Sequence, residues 1–383
     1  MLAEISVLYD GWPAVYEPFS PAAMHLRALL AQLPDRIRPV VAIPDSPPDW
    51  LTDMPVEIHP TQSTSSGKLK WEQRVLPRLD RKLHAGLLHL TSAHPPLFGP
   101  GNCLISPAGF GGFEALSDSK AAGAVRSLSE RIREAMGSGG LARVPGVIWP
   151  SDLPVPDLPA PLFQIPPTVH PDFYKGALKA NDRISGNGDG SKRGLAQVDL
   201  PETYILYHGP DDPVSLSNLA ETWSRAAGSI GEYYPLLLLG LETKAWQTLE
   251  KLLEGTGIAG TIRRVPAVSP EHIPGLYREC TALLHPAPPA PWGGPIRHAL
   301  AAGKPVVSIE GKQVDAMVGP AAYLVPPGDP RALAAALITV VVEETVAGNL
   351  AGQAAQRAAR WHSSDFSSEL VKTYEKTLSN QAG

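Results

Sequence analysis

Cysteine is nearly absent from this chain, with only Cys103 and Cys280 in 383 residues. They lie far apart, and neither belongs to a Cys-x-x-Cys or a Cys/His cluster. A disulfide framework and a structural zinc site are therefore disfavoured, and a reducing compartment fits. Long apolar runs are missing too: the longest, PLLLLGL and ALITVVV, are far too short to span a bilayer. The N-terminal MLAEISVLYDG carries no basic region followed by a long apolar stretch, so no signal peptide is expected. There is no long run of Lys or Arg, and the formal net charge is −5, which disfavours nucleic acid as the main partner. The expectation is a cytoplasmic protein, or one lying peripherally at the inner face of a membrane.

What remains is an ordinary soluble composition, 43% hydrophobic and 19% charged, on a chain long enough for two domains. Proline is the exception, at 41 residues, often paired as in FQIPP and YLVPP. Proline fixes φ and removes a donor, so these pairs mark the stiff loops that follow short strands.

Short apolar runs alternate with helix-like segments. The first-half strands are expected at 5–9, 39–43, 56–59, 87–90, 103–106, 146–149 and 162–165, with helices at 22–32, 71–83 and 121–136. Residues 176–200 are polar and glycine-rich and read as a linker. The alternation resumes with TYILYHG, PLLLLG, TIRRVP, TALLHP, PVVSI and AAYLV, separated by helices at 218–227, 246–253 and 270–280, the last with Ser269 as N-cap. Two further helices are expected at 330–344 and 367–378. Strands alternating with helices make right-handed βαβ units. The expected fold is thus α/β, with two doubly wound Rossmann-like domains facing a cleft. The expected boundaries are 1–175, the linker 176–200, then 201–360, with a terminal helix in 361–383 packing back on the first domain.

Ligands of open parallel sheets bind beyond the carboxyl ends of the strands. The loops to watch are therefore 9–20, 89–96, 106–113, 150–154, 209–215 and 286–298. The last contains APWGGPIRHALAAGKPVV, a glycine turn entering a helix. Glycines let a backbone approach a pyrophosphate, and a helix N-terminus offers N–H donors to it. A tight strand-to-helix connection that binds nothing is the other reading of the same residues.

The run LLHPAPPAPWGGPIRHALAAGKPVVSIEGKQVDAMVGPAAYLVPPGDPRALAAAL resembles the donor-site half of retaining family-4 glycosyltransferases, which have the GT-B fold. In that family a strand ends in proline, and a Gly-aromatic-Gly turn leads into a helix ending Ala-x-Gly-x-Pro-Val-Val. Here these are Pro286, Trp292-Gly293 and residues 299–307, followed by Gly328-Asp329-Pro330. HIPGLYRECTALLHP, TYILYHGP and IPPTVHPDF resemble neighbouring segments. KWEQRVLPRLDRKLHAGLLHLTS resembles a segment of mannosyltransferase-like members.

The resemblance implies a donor site at Gly209, Pro210, Trp292, Gly293, Gly294, Pro295, Arg297 and His298. It also implies a nucleotide-diphosphate sugar as substrate, a sugar or lipid-linked acceptor, and neither metal nor cofactor. On the acceptor side the weak catalytic candidates are Asp10, Glu17, His89 and His94. A homo-oligomer or a partner transferase is compatible with this pattern.

The chain departs from the family at four places. The two family glutamates are replaced by Ala290 and His298. The loop 209–224 has no Arg or Lys but has Asp211 and Asp212. Ser106 and Pro107 stand where a His-Asp pair is usual. DGWPAVYEPFSPAA replaces a glycine-rich loop. Cations normally stabilise the leaving diphosphate. Three accounts follow: a different donor, held by Arg297, Arg263 or Arg264; a transferase active with repositioned groups; or a GT-B protein that binds without catalysing transfer. A GT-B sugar epimerase or phosphorylase is a further alternative, which the missing carboxylates do not help. His208 either faces the ligand or packs in its strand, and Ser20 is most simply an N-cap.

Overall fold

The structure is a computed structural model and describes residues 4–98, 101–110, 128–174, 200–265 and 268–381. The chain divides into two compact units. The first comprises the described residues of Met1–His170, Ala290–Gly294 and Trp361–Gly383, and the second those of Pro171–Pro289 and Pro295–Arg360. The expected linker falls outside the described residues, apart from Leu200 at its end.

The first unit carries seven strands: β1 (Ile5–Asp10), β2 (Ile37–Ile43), β3 (Val56–Ile58), β4 (Leu87–Leu90), β5 (Cys103–Ile105), β6 (Gly146–Pro150) and β7 (Leu162–Ile165). They pair in the order β3-β2-β1-β4-β5-β6-β7, and every pairing is parallel. Its helices are α1 (Trp12–Tyr16), α2 (Pro21–Leu30), α3 (Ser65–Lys70), α4 (Leu76–Leu83) and α5 (Leu128–Leu141). A π turn, Trp71–Val75, joins α3 to α4.

The second unit carries β8 (Ile205–Tyr207), β9 (Leu236–Leu238), β10 (Ile262–Arg264), β11 (Ala282–His285), β12 (Val306–Ile309) and β13 (Ala322–Val325). These pair in parallel in the order β10-β9-β8-β11-β12-β13. Its helices are α6 (Pro213–Ile230), α7 (Thr243–Leu253), α8 (Ile273–Glu279), α9 (Pro295–Ala301), α10 (Lys312–Val318), α11 (Pro330–Val342) and α12 (Glu344–Ala358). The last helix, α13 (Ser363–Gln381), belongs to the first unit. Both units are Rossmann-like, as the strand–helix alternation predicts.

Local chemistry explains most boundaries. Ser20 caps α2, its Oγ accepting from Ala23 N at 3.2 Å, with Pro21 in the first turn. Ser269 holds the N-cap position expected of it but makes no side-chain capping bond; a 3₁₀ turn, Pro270–His272, intervenes before α8. The predicted single helix at 71–83 is longer and irregular, because α3 precedes it and the π turn interrupts it. The part of the helix predicted at 121–136 that precedes residue 128 lies outside the described residues.

The two cores are separate sets of residues. That of the first unit includes Val7, Tyr9, Val41, Leu87, Leu104 and Ile148, and it also takes in Trp292, Phe366, Leu370 and Tyr374. That of the second centres on Ile205, Leu219, Trp223, Leu238, Leu284, Val307 and Leu337. Among the described residues no single helix is long and apolar enough to cross a membrane.

Candidate functional site

In the first unit, β1 delivers Asp10 to its carboxyl end. Gly11 follows because a Cβ there would lie 2.6 Å from the Ala42 carbonyl oxygen, to which the Gly11 N–H donates at 2.7 Å. Asp10 is 2% exposed, and its Oδ1 accepts from Trp12 N at 3.0 Å and from Trp71 Nε1 at 2.8 Å. Burial pushes its carboxyl up to about 6, against the pull of those two donors. Glu17, half-buried, pairs with Lys68 and accepts from Trp12 Nε1 at 3.3 Å. Glu72, beside Trp71, is 1% exposed and takes a bidentate pair of bonds from Arg133 at 2.6 and 2.7 Å. His94 is half-buried; burial, and then the Arg133 and Lys68 charges, lower its imidazole to about 3. It lies against Gly137, where a Cβ would come within 2.9 Å of its ring. Asp10, Glu17 and His94 thus share one charged neighbourhood.

His89 is elsewhere. It is fully buried in β4, and burial lowers it to about 3, so the ring is neutral. Its Nε2 is 2.8 Å from Ser106 Oγ, and its Nδ1 is 2.6 Å from the Tyr374 hydroxyl. Ser106 Oγ is also 2.9 Å from His25 Nε2, and Tyr374 OH is 3.1 Å from Tyr9 OH. Five buried side chains from β1, α2, β4, the end of β5 and α13 thus form one hydrogen-bonded chain. Each hydroxyl in it can both donate and accept, and the neutral His89 ring offers one donor and one acceptor nitrogen, so the five groups can satisfy one another in turn. The sequence offers His89 only as an acceptor-side candidate at a strand end. It has no signal for His25 or Tyr374, which reach the Ser106 strand only through the tertiary fold.

The glycine turn lies in the first unit. Trp292 is fully buried; its Nε1 donates to the Ile148 carbonyl at 3.2 Å, and its ring stacks on His25 at 4.7 Å and 22°. Gly293 has φ +61, and a Cβ there would lie 2.0 Å from the Pro21 carbonyl oxygen and 2.7 Å from His25 N. The glycine is accounted for by its own backbone conformation and by the first turn of α2 pressing on it. At Gly294 a Cβ would sit 3.0 Å from Ala290.

In the second unit, His208 directly follows β8, and its Nδ1 is 2.8 Å from the Tyr277 hydroxyl. Gly209 packs against the Tyr207 ring, where a Cβ would be 2.7 Å away, and the Tyr207 hydroxyl donates to the Pro210 carbonyl at 2.5 Å. Gly209 and Pro210 are half-buried. Asp212 caps α6: its Oδ1 accepts from Val214 N and Ser215 N at 3.0 and 3.1 Å, and its Oδ2 from Ser215 Oγ at 2.6 Å. The amides at this helix start are therefore met by the chain's own carboxylate. His285, at the end of β11, is fully buried and lowered to about 4, and its Nε2–H donates to Pro288 O at 3.3 Å.

Every residue of α9 is buried, from Pro295 onward, and Arg297 is 0% exposed. The His298 ring stacks on Phe173 at 4.0 Å and 10°, and the Tyr277 ring meets it edge-on at 5.5 Å. Arg263 and Arg264 are spent on backbone carbonyls, those of Gly260 and Leu241. His208, Tyr277 and His298 thus meet as a polar-aromatic cluster. Among the described residues, no group of three or more His, Cys, Asp or Glu side chains could hold a metal.

Comparison with known proteins bears on the second unit first. The family described as "Glycosyl transferases group 1" matches residues 204–342. The chain is similar to the O-antigen chain mannosyltransferase B of Escherichia coli, 27% identical over 143 residues, which is 37% of this chain and 38% of that protein. The chain thus spans well under half the length of that curated relative. Three solved structures resemble nearly the whole chain at low identity. WaaG, a glycosyltransferase involved in lipopolysaccharide biosynthesis, matches with a TM-score of 0.69 and 14% identity, over 97% of this chain and 99% of that one. Sucrose-phosphate synthase from Thermosynechococcus elongatus gives 0.66 and 15%, over 98% and 100%. The Anabaena HepE protein, in complex with UDP and glucose, gives 0.65 and 15%, over 97% and 100%. The segment 204–342 thus matches the glycosyl transferases group 1 model, and the chain that carries it has the two Rossmann-like domains of the GT-B fold.

Proposed function

We propose that the protein is a glycosyltransferase that moves a sugar from a nucleotide-diphosphate donor to a sugar or lipid-linked acceptor, with retention and without a metal. The observation that carries this reading is the group 1 match over residues 204–342, which spans the strand ends β8 and β11 and helix α9. The Anabaena relative, solved with UDP and glucose and also with UDP-glucose, supports a nucleotide sugar as donor. On the donor side the proposed contacts are Gly209, Pro210, Pro295, Arg297 and His298, with Trp292, Gly293 and Gly294 shaping the turn that leads into α9. On the acceptor side they are Asp10, Glu17 and His94, and His89 contributes through the Ser106 chain. The proposed location is the cytoplasm or the inner face of a membrane, where the protein acts alone, as a homo-oligomer or beside a partner transferase.

A second reading is a GT-B protein that binds a glycan or nucleotide without turnover. Asp212 favours it, because that carboxylate holds the amides at the start of α6 and opposes a phosphate there. The sequence departure at His298 favours it too, since that ring is packed between Phe173 and Tyr277.

A thermal-shift panel of UDP-, GDP- and ADP-sugars, followed by a donor-hydrolysis assay, separates the two. Stabilisation with turnover supports the transferase. Stabilisation without turnover supports the binding protein. No shift with any donor removes the nucleotide-sugar reading.

A further inference from the structure

We propose that a cavity in the second unit, at the amino ends of β11 and β12, binds a phosphate monoester of small-molecule size. The cavity encloses about 380 Å³, within the roughly 300–1,000 Å³ that small-molecule sites occupy. Arg278, Thr281 and Lys304 supply its polar lining, and Gly303, Gly348 and Ala351 leave it room. Topology brings these residues together. Parallel pairing sets Leu283 beside Val306, so Thr281 and Lys304, just ahead of the two strands, share one edge of the sheet. Arg278 arrives from the last turn of α8, and α12, packed on α9, adds Gly348 and Ala351.

Charge decides the class of ligand. Among the described residues, the lining holds two cations and no carboxylate. Lys304 is half-buried and has no ion pair among the described residues. Arg278 donates from Nη1 to the Asp172 carbonyl, and its Nε is buried with no hydrogen-bond partner among the described residues. A helix C-terminus attracts a cation, and these two side chains lie at the ends of α8 and α9. Carbonyls at those ends are met by backbone instead. Cys280 N donates to Leu276 O at 3.2 Å, Gly303 N to Leu300 O at 3.0 Å and Lys304 N to Ala299 O at 2.9 Å. The guanidinium and the ammonium are left to the cavity.

Two cations beside a hydroxyl match a dianion with three terminal oxygens. A monocarboxylate would neutralise only one of them. The guanidinium fork suits two phosphate oxygens, the ammonium serves a third as a point charge, and Thr281 Oγ1 adds a donor. An oxyanion here also supplies the acceptors that the chain does not give Arg278. The small residues around the rest of the cavity leave space for the organic part of an ester. In a parallel sheet the amino ends lie opposite the carboxyl ends, so a ligand here leaves the loops after β8 and β11 open. The inference does not depend on whether the protein transfers a sugar.

The test is isothermal titration of the full chain with glucose 6-phosphate, inorganic phosphate, glucose and acetate, followed by hydrogen exchange with glucose 6-phosphate bound. The ester is expected to bind, inorganic phosphate to bind more weakly, and glucose and acetate to give no heat. Exchange should slow at residues 278–282, 303–306 and 347–351. Lys304→Gln is expected to weaken the ester about tenfold. Gly348→Glu sets a carboxylate at the mouth of the cavity and is expected to abolish binding. Lys304→Gln keeps the backbone bond to Ala299, and Gly348 has nothing within 4 Å of its Cβ position, so both variants should melt no lower than wild type. If Lys304→Gln does melt lower, Gly348→Glu alone is read. No binding of either phosphate, equal affinity for the ester and inorganic phosphate, unchanged affinity in the variants, or protection confined to residues 209–215 and 286–298 would overturn the proposal. A donor panel without a hit leaves these outcomes as they are, so the two readings fail separately.

Discussion

The hydroxyl of Tyr374, on the last helix, lies 2.6 Å from Nδ1 of His89, on the central strand β4. The two residues are 285 positions apart and both are fully buried. His89 is neutral there, and the same hydroxyl touches Tyr9 at 3.1 Å. Tyr374→Phe removes the joint between His89 and Tyr9 and leaves both without that partner. The expected loss is about 1–3 kcal/mol for the orphaned polar groups, read from urea unfolding. Tyr9→Phe, at the end of the chain, leaves the Tyr374–His89 bond in place and should cost less. Equal costs would mean that the chain is not connected as described.

Gly293 and Gly348 make a matched pair. Gly293 has φ +61 and the Pro21 carbonyl where a Cβ would go, whereas Gly348 lies within α12 with nothing within 4 Å of its Cβ position. Gly293→Ala should destabilise the protein by more than the roughly 1 kcal/mol of unfavourable φ alone. Gly348→Ala should stabilise it by about 0.5–1 kcal/mol through helix propensity. Differential scanning calorimetry of both variants gives the two signs in one experiment.

Asp10 makes a prediction about pH. Its folded pKa, about 6, lies above the ordinary aspartate value of 3.8, so between those values the native state holds more protons than the unfolded one. Asp10 therefore contributes a loss of stability as pH rises from about 4 to 6. His89, His94 and His285 are lowered and contribute the opposite slope, losing stability as pH falls below their ordinary range. Comparing Asp10→Asn with wild type isolates the carboxylate, because an asparagine oxygen still accepts from Trp12 and Trp71. The stability difference should move in favour of the variant by about 2–3 kcal/mol between pH 4 and pH 7, at 1.36 kcal/mol per unit. A difference independent of pH would show that Asp10 titrates normally.

Asp212 tests the donor side. Asp212→Asn keeps an acceptor for Val214 N and Ser215 N but removes the charge. If a nucleoside diphosphate is held near β8, the variant should bind UDP several-fold more tightly, with a stability loss of no more than about 1 kcal/mol from the weaker cap. Isothermal titration with UDP reads the first effect and thermal melting the second. Unchanged affinity would move the diphosphate away from this helix start.

Much of the architecture was legible because a parallel sheet buried on both faces writes its strands as short apolar runs. LLHL and LFQI match β4 and β7 residue for residue. Helix α12 was not legible: ETVAGNLAGQAAQRA buries only Ala354 and Ala358, and small residues leave almost no periodic signal. Helix α1 is a single turn containing a proline, which reads as a loop. At the candidate site, the loops were legible from the strand-end rule, but the partners were not. Trp71 reaches Asp10 across 61 positions and Phe173 reaches His298 across the α8 and β11 region, and no local pattern encodes either contact. The glycine turn shows why a motif alone underdetermines its ligand. The same absence of a Cβ that would admit a pyrophosphate admits, at Gly293, the carbonyl of Pro21.

The interleaving of the first unit has a consequence for how the protein is made. All seven of its strands are complete by Ile165, yet its core draws on Trp292, Phe366, Leu370 and Tyr374. At a synthesis rate of about 5–20 residues per second, the ribosome needs on the order of ten to forty seconds to deliver those last side chains after the sheet has emerged. Throughout that interval the nascent sheet shows solvent an apolar face that its own chain has not yet supplied, and cellular holdases are the natural cover for it.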